Sequence, residues 1–309
     1  MKNEKISNGV KLSIPDIEIM SPGHMACQGC GATLAFRYAL KALGRETIVT
    51  IPACCWSVID GPFPYSSAGV PVFHAAFETA ASTASGIKAA LEIKGISNVS
   101  VLAWAGDGGT MDIGIQALSG AVERGEDIIY VCYDNEAYMN TGIQRSSSTP
   151  YGAWTTTTPV DNFKNRPKKN MVGIMVAHKI PYTATANIAF PEDFIAKLKK
   201  AKSIKGPKFL QIISPCPVGW KFPSQLTIKI AKLSFETSIF PIYEVEDGRY
   251  SIKKPSKKKG VREYLSLQGR FGHLTEDTIN EIQQNIDREW ENLLKMERAS
   301  YAGTIESEK

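Results

Sequence analysis

The chain has 309 residues, 43% hydrophobic and 22% charged, enough to bury a sizeable core as one large domain with appendages. The net charge of +5 is modest, and the late lysines Lys253-Lys254 and Lys257-Lys258-Lys259 lack the interleaved aromatics of a nucleic-acid face, so they read as a solvated loop and no nucleic-acid partner is expected. Met1-Lys2-Asn3-Glu4-Lys5 leads into mixed polar sequence, and no run reaches the roughly 18 apolar residues of a membrane span; a cytoplasmic protein is expected.

The first chemistry in chain order is Gly23-His24-Met25-Ala26-Cys27-Gln28-Gly29-Cys30-Gly31. Two cysteines two residues apart, flanked by glycines, bring two thiolates near one point on a backbone that turns tightly enough to aim N–H groups at them. A zinc knuckle, a redox pair or an iron–sulfur ligand set all use this spacing. A helix from Thr33 to Leu43 should follow, then a β-run from Thr47 to Ile51 and a loop with Cys54-Cys55. Six cysteines with no secretory signal argue against a disulfide framework, so ligation accounts better for most of them. Cys132, inside an apolar run, reads as a small core residue.

Residues 60–100 begin with a Pro- and Gly-rich loop and pass into an Ala-rich helix, roughly Ala75 to Ile93, with Gly95 near its end. His74, at the start of that helix, reads as a capping or hydrogen-bonded core histidine. Next, Val101 to Ala105 forms a strand that enters Gly106-Asp107-Gly108-Gly109, and a helix-period segment places Ile113, Ala117, Leu118 and Val122 on one face. A second strand, Ile128 to Tyr133, ends in Asp134-Asn135, at the same edge of a parallel sheet as the glycine turn. Glycines flanking a carboxylate let a diphosphate come close, and Asp107 and Asn135 offer oxygen ligands suited to magnesium. The position after Gly106 and Gly108 that a dinucleotide turn needs as glycine is Met111, and no phosphate-loop motif occurs. A ligand-free strand-to-helix turn is the plain alternative.

The polar stretch Gly142 to Pro150, continuing through Tyr151-Gly152-Ala153-Trp154 and four threonines, is long enough to suggest function or an interface. Strands at Tyr182 to Ala186 and Pro207 to Ile213, with a helix from Pro191 to Lys202 between them, continue the sheet to Cys216. After Cys216 the character changes: a helix near Leu226 to Ser238, a hairpin around Glu246-Asp247-Gly248 and a charged helix from Glu276 to Ala299. These elements predict an α/β fold, a doubly wound and mostly parallel sheet over residues 1–218, with 219–309 as a carboxy-terminal extension for subunit contacts.

Gly106-Asp107-Gly108, twenty-six intervening residues and Asn135 resemble the signature of thiamine-diphosphate enzymes. Glu136-Ala137-Tyr138-Met139-Asn140-Thr141-Gly142 narrows the resemblance to the 2-oxoacid:ferredoxin oxidoreductases, and the segment EYLSLQGRFGHL, residues 263–274, resembles the tail of their thiamine-binding β subunits. The resemblance implies CoA-dependent oxidative decarboxylation of a 2-oxoacid, with electrons leaving through a [4Fe-4S] cluster to ferredoxin. It implies Cys27, Cys30, one of Cys54 and Cys55, and Cys216 as cluster ligands; family spacing favours Cys55. Asp107, Asn135 and the Ala137 carbonyl would hold magnesium, Gly106, Gly108, Gly109 and Thr110 would approach the diphosphate, and Asn140 would contact the reacting centre.

Thiamine enzymes draw an activating glutamate from a second, related domain, for which a chain of this length with one such signature has no room. The resemblance therefore implies an α-type partner supplying the other half of the site, with γ and ferredoxin-like δ subunits or a fusion of them. Pyruvate is the first substrate to expect; branched-chain acids, oxalate and aryl pyruvates stay open. A cluster-free thiamine lyase would share Asp107 and Asn135 but have no use for the cysteines. A non-catalytic metal-binding subunit would share the cysteines and leave thiamine unbound.

Overall fold

In the computed structural model, residues 13–302 are described; Met1–Lys5 and the outer ends of the two expected segments lie outside them. The elements run α1 (Gly31–Leu43), β1 (Thr47–Pro52), α2 (Trp56–Ile59), β2 (Val72–Ala75), α3 (Ala80–Ile93), β3 (Ser100–Gly106), α4 (Asp107–Met111), α5 (Ile115–Glu123), β4 (Ile129–Asp134), α6 (Met171–Ala177), β5 (Tyr182–Asn187), α7 (Pro191–Ser203), β6 (Lys208–Ile213), α8 (Pro217–Trp220), α9 (Thr227–Glu236), β7 (Ile242–Glu246), β8 (Arg249–Lys253), α10 (Arg262–Leu265) and α11 (Glu276–Ala302). The strands form one sheet in the order β2-β1-β3-β4-β6-β5-β7-β8. The first six are parallel, and the β7–β8 hairpin adds two antiparallel strands beside β5.

The sheet is covered on both faces, which is why its central strands read as continuous apolar runs. Trp104, Val131, Tyr133 and Leu210 pack with Phe36, Leu40 and Leu198 of α1 and α7 on one face. Ala103, Ala105, Tyr130 and Cys132 pack with α3, α5 and α6 on the other, where Cys132 is fully buried. The chain goes from β1 outward to β2 and returns to β3 on the other side of β1, so the winding reverses between β1 and β3. Their carboxyl ends part there and leave a crevice.

Four local expectations are corrected. The Ala-rich helix starts at Ala80, because Val72–Ala75 pairs with β1 as an edge strand whose two central side chains face out. His74 therefore lies on β2, with Nε2 3.4 Å from Asp60 Oδ2. The helix after the glycine turn breaks at Asp112, leaving Ile113 half exposed outside the apolar face. Residues 171–177, which carried no sequence expectation, form α6. The sheet also runs on across residue 218, since β7 pairs with β5 over Tyr182↔Glu246 to Ala184↔Glu244.

Candidate active site

Strands β3 and β4 place Gly106 beside Tyr133, so the glycine turn and the Asn135 loop are neighbours at the sheet's carboxyl edge. Asp107 is 1% exposed, and a single side-chain donor, the Ser146 hydroxyl, reaches its carboxylate. Burial and the nearby Asp134 carboxylate push the Asp107 carboxyl well above the usual carboxylate range. Asp134 itself is well supplied, accepting from Ser148 Oγ (2.6 Å), Gln211 Nε2 (2.7 Å), Lys168 Nζ (3.0 Å) and the Glu136 N–H (3.1 Å).

Asn135 turns its amide oxygen toward Asp107 Oδ1 at 2.8 Å and the Ala137 carbonyl oxygen at 2.9 Å. Three acceptors facing one another repel unless the amide rotates to donate or a cation lies among them. Ligands at right angles around an octahedral magnesium, each at about 2.0–2.1 Å, stand about 2.9 Å apart. The oxygen set and its spacing therefore fit a magnesium ion, and the underbonded Asp107 carboxylate gains a counter-charge from it.

Glu136, between these residues, has φ +68°, a region that non-glycine residues enter only when held there. Burial raises its carboxyl, but Lys168 and Arg270 outweigh that and hold it below the usual range. Its carboxylate meets Lys168 Nζ at 2.6 Å and Arg270 Nη2 at 2.5 Å. The polar stretch after Gly142 folds inward: Ser147 bonds Asp112, Ser148 bonds Asp134, and Thr149 Oγ1 donates to the Glu136 carbonyl at 2.7 Å.

The glycines do more than admit a ligand. A Cβ on Gly108 would stand 2.3 Å from the Tyr138 ring, and one on Gly109 would stand 3.3 Å from Phe77. Thr110 is buried, its hydroxyl donating to the Gly106 carbonyl at 2.8 Å. Asn140 lies exposed in the turn closed by the Gly142 N–H on the Met139 carbonyl (3.2 Å). It lines a cavity of about 160 Å³ bounded on one side by Gly106, Asp107 and Gly108 and on the other by Cys54 and Cys55. This is the crevice where the winding reverses.

The cysteines share one neighbourhood. Cys30, Cys55 and Cys216 stand at the amino ends of α1, α2 and α8, where backbone N–H groups favour thiolate. Phe36 anchors two of these ends, stacking on Trp56 at 4.0 Å and on Trp104 at 4.9 Å. The third is pressed against the first: the Gly31 N–H donates to the Pro215 carbonyl at 3.1 Å, and a Cβ on Gly31 would lie 2.8 Å from Pro215 backbone atoms.

Burial pushes the Cys55 thiol up, with Cys54, Cys216 and Cys30 close enough to add to the effect. Burial likewise takes Cys216 up to about 11, opposed by the Gly219 N–H, with Cys30 and Cys27 adding. The Cys54 thiol instead lies against Tyr133 and the Gly106 backbone. Among the described residues no three His, Cys, Asp or Glu side chains stand close enough to hold a single metal ion. A cubane spaces its four thiolates more widely than one ion does, and Trp56 Nε1 and Thr33 Oγ1, buried on two of the cysteine-bearing helices, have no partner among the described residues. The donor set fits a cluster better than a lone zinc. Outside Cys27 and Cys30 a groove of about 650 Å³ opens between residues 18–37 and 224–228.

Sequence reasoning missed Asp134, Glu136, Ser146, Lys168, Trp220 and Arg270. Ser146 had a signal in its unusually polar loop; Arg270 had none beyond its place in the resembling tail.

A parallel sheet with a carboxylate turn at its switch point defines a thiamine-diphosphate-binding α/β protein, and residues 60–212 match the family described as "Thiamine pyrophosphate enzyme, C-terminal TPP binding domain". The chain is 53% identical over 297 residues to ketoisovalerate oxidoreductase subunit VorB of Pyrococcus abyssi, covering 93% of this chain and 96% of that one. It is 52% identical over 289 residues to pyruvate synthase subunit PorB of Methanocaldococcus jannaschii, covering 90% and 97%. A solved 2-oxoglutarate:ferredoxin oxidoreductase from Magnetococcus marinus shares the fold, with a TM-score of 0.57, 19% identity and coverage of 71% and 82%. The chain belongs to the thiamine-diphosphate-binding β-subunit family of 2-oxoacid:ferredoxin oxidoreductases. Among the described residues no helix is long and apolar enough to cross a membrane.

Proposed function

We propose that this subunit works with an α-type partner, and with γ and ferredoxin-like δ subunits or a fusion of them, in the CoA-dependent oxidative decarboxylation of a 2-oxoacid, passing electrons to ferredoxin. The observation that carries this reading is the crevice between β1 and β3, with the Asp107 turn on one wall and Cys54-Cys55 on the other. In that reading Asp107, Asn135 and the Ala137 carbonyl hold magnesium, and the backbone of Gly106, Gly108, Gly109 and Thr110 lies along the diphosphate. Asn140, at the mouth of the cavity, offers its amide to the reacting centre. Cys27, Cys30, Cys55 and Cys216 hold a [4Fe-4S] cluster; the Cys54 thiol, turned to Tyr133, packs between cluster and cavity. Bound thiamine supplies carbanion chemistry and the cluster supplies one-electron transfer, while the protein sets them side by side.

Pyruvate and branched-chain 2-oxoacids are the substrates this reading favours, since relatives named for pyruvate and for ketoisovalerate match this chain at 52% and 53% identity. Residues 1–218 carry all the proposed ligands, and residues 219–309 are assigned to subunit contacts as well as to support of the site.

The test is to purify the complex without oxygen and measure iron, acid-labile sulfide, zinc and thiamine diphosphate in one sample. About four irons and one thiamine per copy of this chain, beyond those of a ferredoxin subunit, are expected. Thiamine without iron would replace the reading by a lyase, and zinc without thiamine would remove the enzyme.

A further inference from the structure

Glu136 stands in the left-handed region between the two loop residues assigned to magnesium, and distant parts of the chain hold the backbone on either side of it. Trp220, fully buried, donates from Nε1 to the Asn135 carbonyl at 2.7 Å. Arg270, 2% exposed, donates to Glu136 Oε2 at 2.5 Å while its guanidinium carbon lies 3.9 Å from the Trp220 ring centroid. Arg270 is in turn fixed by Gln268 Oε1 at 3.0 Å and, through its own carbonyl, by the Trp154 N–H at 2.9 Å.

We propose that Arg270 and Trp220 are positioning residues that clamp the Asn135–Glu136–Ala137 backbone so that the Asn135 amide and the Ala137 carbonyl converge on Asp107. The proposal rests on the reading that these three residues hold the cation. Its physical basis is that a backbone carbonyl fixed on residue 135 and a carboxylate fixed on residue 136 leave the intervening peptide no free rotation. Released from either, Glu136 relaxes toward negative φ and swings the Ala137 carbonyl away. A planar, stacked guanidinium suits this role better than an ammonium, which can supply charge but neither the flat stack nor the fixed fork.

The experiment uses the whole complex, stripped of cofactor with a chelator and titrated with thiamine diphosphate at graded magnesium chloride, binding being read by calorimetry. Arg270→Met should raise the half-saturating magnesium about 10–100-fold, the range for outer residues that orient metal ligands. Trp220→Phe, which keeps the packing and loses one donor, should raise it about 2–10-fold. Arg270→Lys should fall between Arg270→Met and the parent. Iron and sulfide content measured on the same samples reports folding, and Trp220→Phe serves if Arg270→Met does not assemble. Unchanged magnesium half-saturation in both Trp220→Phe and Arg270→Lys, with Asp107→Ala abolishing the magnesium requirement, overturns the clamp alone. If Asp107→Ala leaves that requirement intact, the cation assignment falls and the clamp with it.

Discussion

Gly108→Ala separates two explanations of the glycine turn. The added Cβ would lie 2.3, 2.6 and 2.7 Å from Tyr138 Cε1, Cδ1 and Cζ, whereas ordinary carbon contacts are about 3.5–4.0 Å, so the ring must retreat by about 1 Å. It is not free to do so. Its hydroxyl donates to Asp112 Oδ2 at 2.8 Å, its ring meets Phe77 edge-on at 5.9 Å, and its N–H is bonded to the Gln144 carbonyl at 2.9 Å. Retreat sacrifices a hydrogen bond to a charged acceptor, about 1.5–3 kcal/mol, and adds overpacking of about 1–3 kcal/mol. Replacing glycine in a helical turn returns about 0.5–1 kcal/mol, leaving a net loss of about 2–4 kcal/mol. Gly108 has no positive φ, so backbone strain does not enter.

The assay is a double-mutant cycle with Tyr138→Ala, read by chemical denaturation and by thiamine diphosphate binding. In the Tyr138→Ala background the added methyl should cost nothing in stability. An equal loss of stability in both backgrounds would refute the steric reasoning. Cofactor binding still blocked in the double variant would assign the glycine to the diphosphate instead of the tyrosine.

Gly31→Ala drives a Cβ into the Pro215 backbone, which has no side chain to yield, and should destabilise by on the order of 2 kcal/mol while lowering iron per chain, measured by metal analysis. Cys55→Ser should lose iron and Cys54→Ser should keep it, because only Cys55 lies among Cys30 and Cys216; the reverse pattern would move the ligand to Cys54. Asp127 has its carboxyl pushed up by burial but held at about 2, against an ordinary 3.8, by Lys208 and Lys88. A depressed carboxyl stabilises above its unfolded value and loses that contribution as pH falls from about 4 to about 2, here up to about 2 kcal/mol. Asp127→Asn should therefore lower stability at neutral pH and converge with the parent near pH 2 in acid-unfolding curves.

By itself the sequence determined the elements whose reasons are local. The apolar runs of β3, β4 and β6 read as buried strands because both faces of each are covered, and Asp247-Gly248 marked the β7–β8 hairpin with φ values of +47° and +80° that suit its tight turn. Asp107, Asn135 and the cysteines were visible as chemistry because their spacing is short. Only the tertiary structure decided what surrounds them. The edge strand β2 has no alternating pattern to betray it, since its partner is thirty residues' worth of helix and loop from β3 and its centre faces out. The break at Asp112 exists because Ser147 and Tyr138 claim that carboxylate from a later loop. Arg270 meets Glu136 across 134 positions of sequence. A buried ion pair needs its partner only in space, so no periodicity or spacing along the chain records it.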